Sequence, residues 1–191
     1  MSTNASKPSK PSKGAFINHL VLAVRDLEKS HTFYTDILGF EQCGELGKVK
    51  YPTTKMRFYR GSDETHHDIA LLEVTEPKNV QPALRWVGFA PKTAVGLNHL
   101  AIGYPSREAW LAQLAHMQAC NVPFDIRGNH GMTHSAYVSD PDGNGIEVVY
   151  DVAPEFWEND VNAALNYFSP LPGVGLDALE DPLSPVFGNI A

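Results

Sequence analysis

No stretch of the 191-residue sequence runs for about 18 apolar residues, so none reads as a bilayer span. Cysteine is scarce. Cys43 and Cys120 stand far apart and form no CxxC pair, which excludes a cysteine zinc site and a disulfide framework and fits a reducing compartment. Positive charge is short as well: the net charge of −7 argues against nucleic acid or an anionic membrane as the main partner. The first fourteen residues lack the apolar stretch of a secretory signal and read as a mobile arm. What remains is a chain with 43% apolar residues, enough for a buried core, and eight histidines. The expectation is a cytoplasmic protein whose chemistry sits on histidine.

From Phe16 the pattern turns regular. Phe16–Val24 reads as a strand, and Asp26 can cap a helix through Leu38 that Gly39 ends. Strands are predicted at Phe40–Leu46, Lys55–Arg60 and His67–Val74. A Pro-containing stretch follows, with a short helix around Pro82–Val87, and then the order begins again. A strand at Leu97–Gly103 leads into a helix opened by Pro105-Ser106, with Trp110, Leu111, Leu114 and Met117 as its apolar stripe. Strands at Val122–Arg127, Thr133–Ser139 and Gly145–Tyr150 complete it, with the turn Asp140-Pro141-Asp142-Gly143-Asn144-Gly145 between the last two. After Asp151, a helix is expected over Phe156–Phe168, then an extended Pro/Gly-rich arm whose Leu, Val and Phe residues must pack on the domain or on a neighbouring subunit.

Spelling and spacing show the repeat. Ile17-Asn18-His19-Leu20 returns as Leu97-Asn98-His99-Leu100 eighty positions later, and both His19–His67 and His99–Glu147 span 48 positions. The fold expected is α+β: two βαβββ modules, 16–75 and 95–151 joined by a linker at 76–94, forming one curled mixed sheet around a metal site. The arms 1–14 and 152–191 flank this 15–151 domain.

Strand alternation sets His19 on a face with Ile17, Val21 and Ala23, His99 with Leu97 and Ala101, and Glu147 with Val149. A carboxylate in so apolar a run is costly unless it meets a cation. Two imidazoles and one carboxylate leave open positions on a divalent ion, the donor set of non-haem ferrous chemistry. His67, at the position equivalent to Glu147, is either a fourth ligand or a proton-transfer group, and His66 points outward. His130 and His134 lie in the loop leading to the Glu147 hairpin, followed by Tyr137. His31 and His116 read as surface or packing residues.

These motifs, with His66-His67-Asp68-Ile69-Ala70-Leu71-Leu72, His130-Gly131-Met132-Thr133-His134-Ser135-Ala136-Tyr137 and the Asp140–Glu147 turn, resemble the vicinal oxygen chelate superfamily. Within it the sequence is most similar to small single-domain type I extradiol ring-cleaving dioxygenases of the catechol 2,3-dioxygenase and dihydroxybiphenyl dioxygenase type. The resemblance implies that His19, His99 and Glu147 hold Fe(II), with Mn(II) as the other candidate. It implies that His67 is the acid–base histidine, and that His130 and Tyr137 hydrogen-bond substrate or oxygenated intermediate, with His134 a rival for the role of His130. The implied partners are a small aromatic diol and O2, in aromatic catabolism, and a homo-oligomer is expected from the apolar C-terminal arm. The same ligands occur in glyoxalase I, where His67 would be a fourth ligand to Zn(II) or Ni(II), in methylmalonyl-CoA epimerase and in fosfomycin-resistance transferases. A non-catalytic binding protein is the third class; it predicts lost ligands, and all are present.

Overall fold

A computed structural model describes residues 16–76 and 96–182. The expected N-terminal arm, most of the inter-module linker with its short helix, and the end of the C-terminal arm lie outside the described residues. Each repeat builds one βαβββ unit. In the first, β1 (Leu20–Val24) runs into α1 (Leu27–Thr32), whose N-terminus is closed by the Asp26 carboxylate accepting from the Lys29 amide. The helix widens into a π-helical turn over Phe33–Ile37, and Gly39 leaves it at φ +82°, a backbone region that a Cβ disfavours. Strands β2 (Glu41–Glu45), β3 (Met56–Arg60) and β4 (Ile69–Glu73) follow.

The second unit has β5 (His99–Gly103), α2 (Arg107–Ala119), β6 (Ile126–Asn129), β7 (Thr133–Ser139) and β8 (Gly145–Asp151). Ser106 caps α2 by accepting from the Ala109 amide. Trp110, Leu114 and Met117, spaced as one helical stripe, are fully buried. The strands form two mixed sheets, ordered β1-β4-β3-β2 and β5-β8-β7-β6-β9, with β1 pairing β4 and β5 pairing β8 in parallel. The curled sheet expected from the sequence is thus built as two hydrogen-bonded halves. Their outer faces share one core: Leu22, Val24, Ile69 and Leu71 from the first meet Trp110, Leu114, Ile146 and Val148 from the second.

The turn before β8 does more than join two strands. Asp140 accepts from the amides of Asp142 and Asn144 and closes the turn. Asp142 reaches into the first module and takes the Arg25 guanidinium at 2.7 Å, and the Tyr34 hydroxyl donates to Asp140 at 3.2 Å. A turn read from sequence as a hairpin signal is also the bracket between the modules.

The region after Asp151 departs from expectation. In place of one helix over Phe156–Phe168 there are two single 3-10 turns, Pro154–Phe156 and Glu158–Asp160, and one short helix, α3 (Val161–Leu165). Asp160 caps α3 by accepting from the Ala163 amide, so an acidic residue inside the apolar pattern starts a new helix instead of continuing an old one. The chain then adds β9 (Ser169–Pro170) to the edge of β6.

Candidate metal centre and its pocket

Alternation and register decide which side chains meet. In the second module His99 lies opposite Gly145 and Ala101 opposite Glu147, so His99 and Glu147 share the inner face. Tyr137 and Ser135 lie opposite Glu147 and Val149 across the antiparallel pair and join that face. The ten-residue spacing from Tyr137 to Glu147 is therefore a cross-strand pairing. Glu147 is buried; its Oε1 accepts from the Ser135 hydroxyl at 2.6 Å and the Tyr137 hydroxyl at 2.8 Å, and its Oε2 stands 3.0 Å from His99 Nε2. The Tyr137 oxygen is 3.0 Å from His130 Nε2. The Tyr137 hydroxyl gives its one proton to Glu147, and His130, which also hydrogen-bonds the Tyr167 backbone, stands beside the phenol oxygen. The result is a line of contacts from His130 through Tyr137 to the carboxylate.

Both repeat histidines are oriented alike. The Asn18 and Asn98 amide oxygens stand 2.8 Å from Nδ1 of His19 and His99. An acceptor there holds the proton on Nδ1 and leaves Nε2 as the donor atom for a metal. In the second module this points His99 Nε2 at Glu147 Oε2. Two acceptors at that distance need a cation or a proton between them, and a divalent ion fits this donor set. Neither the role of the Asn residues nor that of Ser135 was read from the sequence, although the Asn-His spelling recurs in both repeats.

His19 has different company. Its ring lies 4.6 Å from that of His67 and 6.3 Å from that of His66, and the Phe58 ring meets His67 at 5.1 Å. The 48-position spacing hides a change of register. Leu20 lies opposite Ile69, an offset of 49, against 46 for His99 and Gly145. Ala70, opposite Val21, therefore occupies the place that Glu147 holds opposite Ala101. His67 precedes β4, and Ile69 and Leu71, the alternate residues that follow it, face the core. Among the described residues, no three His, Cys, Asp or Glu side chains converge to hold one ion. His99 and Glu147 form a pair, and His19 stands with the first-module histidines.

The remaining histidines sort by face. His134 lies opposite Tyr150 on the outer side of β7, buried against Asp181 with Nδ1 2.6 Å from the carboxylate, so it does not share the inner face with Glu147. His66 is exposed, with its Nδ1 2.6 Å from that of His67. His31 meets the Tyr59 hydroxyl, and His116 meets the Asp36 carbonyl. Burial lowers the His130 pKa, opposed by the Glu147 charge, and keeps the ring neutral at pH 7. Burial and then Glu147 push the Tyr137 phenol far above its ordinary value, so it stays a hydrogen-bond donor. Desolvation, then the His66 and His19 rings, lower His67.

His99, His130, Tyr137 and Glu147 open into a cavity of about 220 Å³, walled by Met132, Thr133, Ala164 and Leu165. A larger cleft of about 360 Å³ lies between the start of β1 and the end of β5, lined by His19, Phe40, Leu100 and Ile102. Its carboxylate, Asp68, is engaged by the Gly61 amide at 2.7 Å, so the convergent polar groups are in the smaller cavity.

The sequence profile of the Glyoxalase/Bleomycin resistance protein/Dioxygenase superfamily matches residues 16–148. The chain belongs to that superfamily. Within it the relatives divide by chemistry. A catechol-2,3-dioxygenase of Bacillus subtilis is 26% identical over 163 residues, 85% of this chain and 50% of that protein. A lactoylglutathione lyase of Pseudomonas putida is 28% identical over 157 residues, 73% of this chain and 87% of that protein. The chain thus spans about half the length of that dioxygenase. A glyoxylase/bleomycin resistance protein/dioxygenase domain from a Frankia species superimposes with a TM-score of 0.56 at 19% identity, over 73% of this chain and all of that one, a likeness of fold. Among the described residues, no helix of this superfamily member is long and apolar enough to cross a membrane.

Proposed function

We propose that this member of the superfamily is an Fe(II)-dependent extradiol dioxygenase that opens a catechol-type ring beside its two hydroxyls with O2. The observation that carries the reading is the chain His130–Tyr137–Glu147 set beside His99 on one inner face. Fe(II) held by His99, Glu147 and His19 would supply the Lewis acidity that acidifies a catechol hydroxyl and the one-electron chemistry that O2 requires. The residues of the chain do the rest. Ser135 and Tyr137 saturate Glu147 Oε1 and leave Oε2 directed at His99. Tyr137, a phenol throughout the neutral range, would turn its one proton from Glu147 to developing oxygen charge, with His130 beside it in the same cavity. His67 takes and returns the proton of the diol. Mn(II) suits the same donors.

The homo-oligomer expected from the sequence belongs to the proposal. Among the described residues β1 and β5 each end a sheet with no further strand beside them, and Ile17 and Leu97 next to them are 90% and 52% exposed. A second copy on these edges would bring a His19 to a His99–Glu147 pair.

The lyase reading is favoured by one observation: the chain covers most of the Pseudomonas lyase but half of the Bacillus dioxygenase. The experiment is anaerobic loading with Fe(II), then mixing with aerated buffer and catechol, methylcatechols or 2,3-dihydroxybiphenyl. Stoichiometric O2 uptake with a yellow ring-opened product, lost in His99→Ala and Glu147→Ala and regained on mixing His19→Ala with Glu147→Ala, is expected. No uptake at full iron occupancy overturns the reading. The Ni(II)- or Zn(II)-loaded protein acting on a glutathione hemithioacetal would then place it with the lyases, and a metal-free protein that still binds an aromatic ligand with the binding members.

A further inference from the structure

The segment after Asp151 lies beyond the last matched residue of the superfamily profile, yet it supplies one wall of the cavity that holds His99 and Glu147. It is seated at several points. Trp157 Nε1 donates to the Val152 carbonyl, Leu171 donates its amide to the Arg127 carbonyl, and β9 pairs with β6. Phe168 lies over Gly128, where a Cβ would stand 2.2 Å from the ring, and faces His130 with ring centroids 5.2 Å apart. The far end is locked by Asp181. Its carboxylate, fully removed from solvent, takes His134 Nδ1 at 2.6 Å, the Tyr150 hydroxyl at 2.6 Å and Arg107 Nε at 2.9 Å. Burial works to raise the Asp181 pKa, and these donors overcome it and hold the carboxyl below its usual range.

A segment held this firmly puts α3 in one place. Its Ala164 is fully buried while the next residue, Leu165, is 69% exposed and borders the same cavity as Glu147. A leucine left in water at the rim of a polar-floored cavity gains most when an apolar ligand covers it. We propose that Leu165 is a specificity-determining residue that sets the size of the ring system accepted above His99 and Glu147, with the Asp181 lock fixing its position. This deepens, and rests on, the reading of the cavity as the diol site.

The test reads binding, without turnover. Affinities of the anaerobic Fe(II)-loaded protein for catechol and 2,3-dihydroxybiphenyl are measured by calorimetry in wild type, Leu165→Ala and Leu165→Phe. S-methyl- and S-hexylglutathione are measured in parallel on the Ni(II)-loaded protein. Leu165→Ala is expected to shift the affinity ratio about tenfold toward the larger diol, and Leu165→Phe to shift it toward catechol. Diols that bind with a ratio unchanged in both variants overturn the inference and leave the dioxygenase reading intact. Should diols fail to bind while the glutathione ratio shifts with Leu165, the dioxygenase reading falls and the size filter stands. Binding of neither class, or an unchanged ratio in the class that binds, overturns the inference.

Discussion

The two modules share their order of elements and the Asn-His spelling of their first strands, but they are not chemically equivalent. The second has a buried carboxylate held by Ser135 and Tyr137 and a face walled by α3 and Phe168. In the first, His19, Val21 and Ala23 lie exposed, and alanine stands where the register would place a carboxylate. Repetition supplies the same scaffold twice. A three-residue difference in strand pairing, and a C-terminal segment that covers one copy, make one face a carboxylate site and the other an open cluster of imidazoles.

The largest expected difference between the modules is in metal retention. Glu147→Ala should keep no iron after anaerobic loading and desalting, by metal analysis. His67→Ala should keep it and lose turnover about 10²–10⁴-fold, as for a lost acid–base group. Iron lost from both variants would make His67 a ligand and restore the equivalence of the modules.

A second contrast is stability. Asp181→Asn removes a buried charge from Arg107, Arg127 and His134, and should cost roughly 3 kcal/mol in urea unfolding at pH 7. The sign with pH follows from the lowered carboxyl: its contribution is present above the unfolded Asp value of about 3.9 and is lost as pH falls through the folded one. Wild type and variant should therefore converge in acid. A penalty constant down to pH 2 would show that packing, not charge, seats the segment.

The smallest test compares matching glycines. Gly128 on β6 faces Phe168 within contact distance, so Gly128→Ala must displace the ring at a cost of about 1–3 kcal/mol. Gly44 on β2, the corresponding strand, has only Phe58 at 3.8 Å, and Gly44→Ala should change stability by about 0.5 kcal/mol or less. Equal penalties would mean that the C-terminal segment is not what distinguishes the modules.

Much of this was legible along the chain. Asp26 and Ser106 cap helices where their positions indicate, Trp110, Leu114 and Met117 face the core, and β7 spans the predicted Thr133–Ser139. These features depend on neighbours within a few residues, so local chemistry decides them. The equal 48-residue spacings misled, because spacing counts residues and register counts hydrogen bonds: the irregular approach to β4 at His66–Asp68 absorbs the difference. The helix expected over Phe156–Phe168 failed because apolar residues at helical spacing also arise in a segment that packs piecewise on a sheet edge.

By itself the sequence determined two βαβββ units, the imidazole and carboxylate donors, and the turn that sets Glu147 on its strand, since periodicity, capping and turn chemistry are local. Only the tertiary structure decided that His99, Glu147, Tyr137 and His130 meet, that His134 turns to the other face, and that the residues following the repeat wall the pocket. Those outcomes depend on pairing register and on a carboxylate at Asp181 finding its hydrogen-bond and ion-pair partners on strands and a helix far away in the chain, and no short window of sequence carries that information.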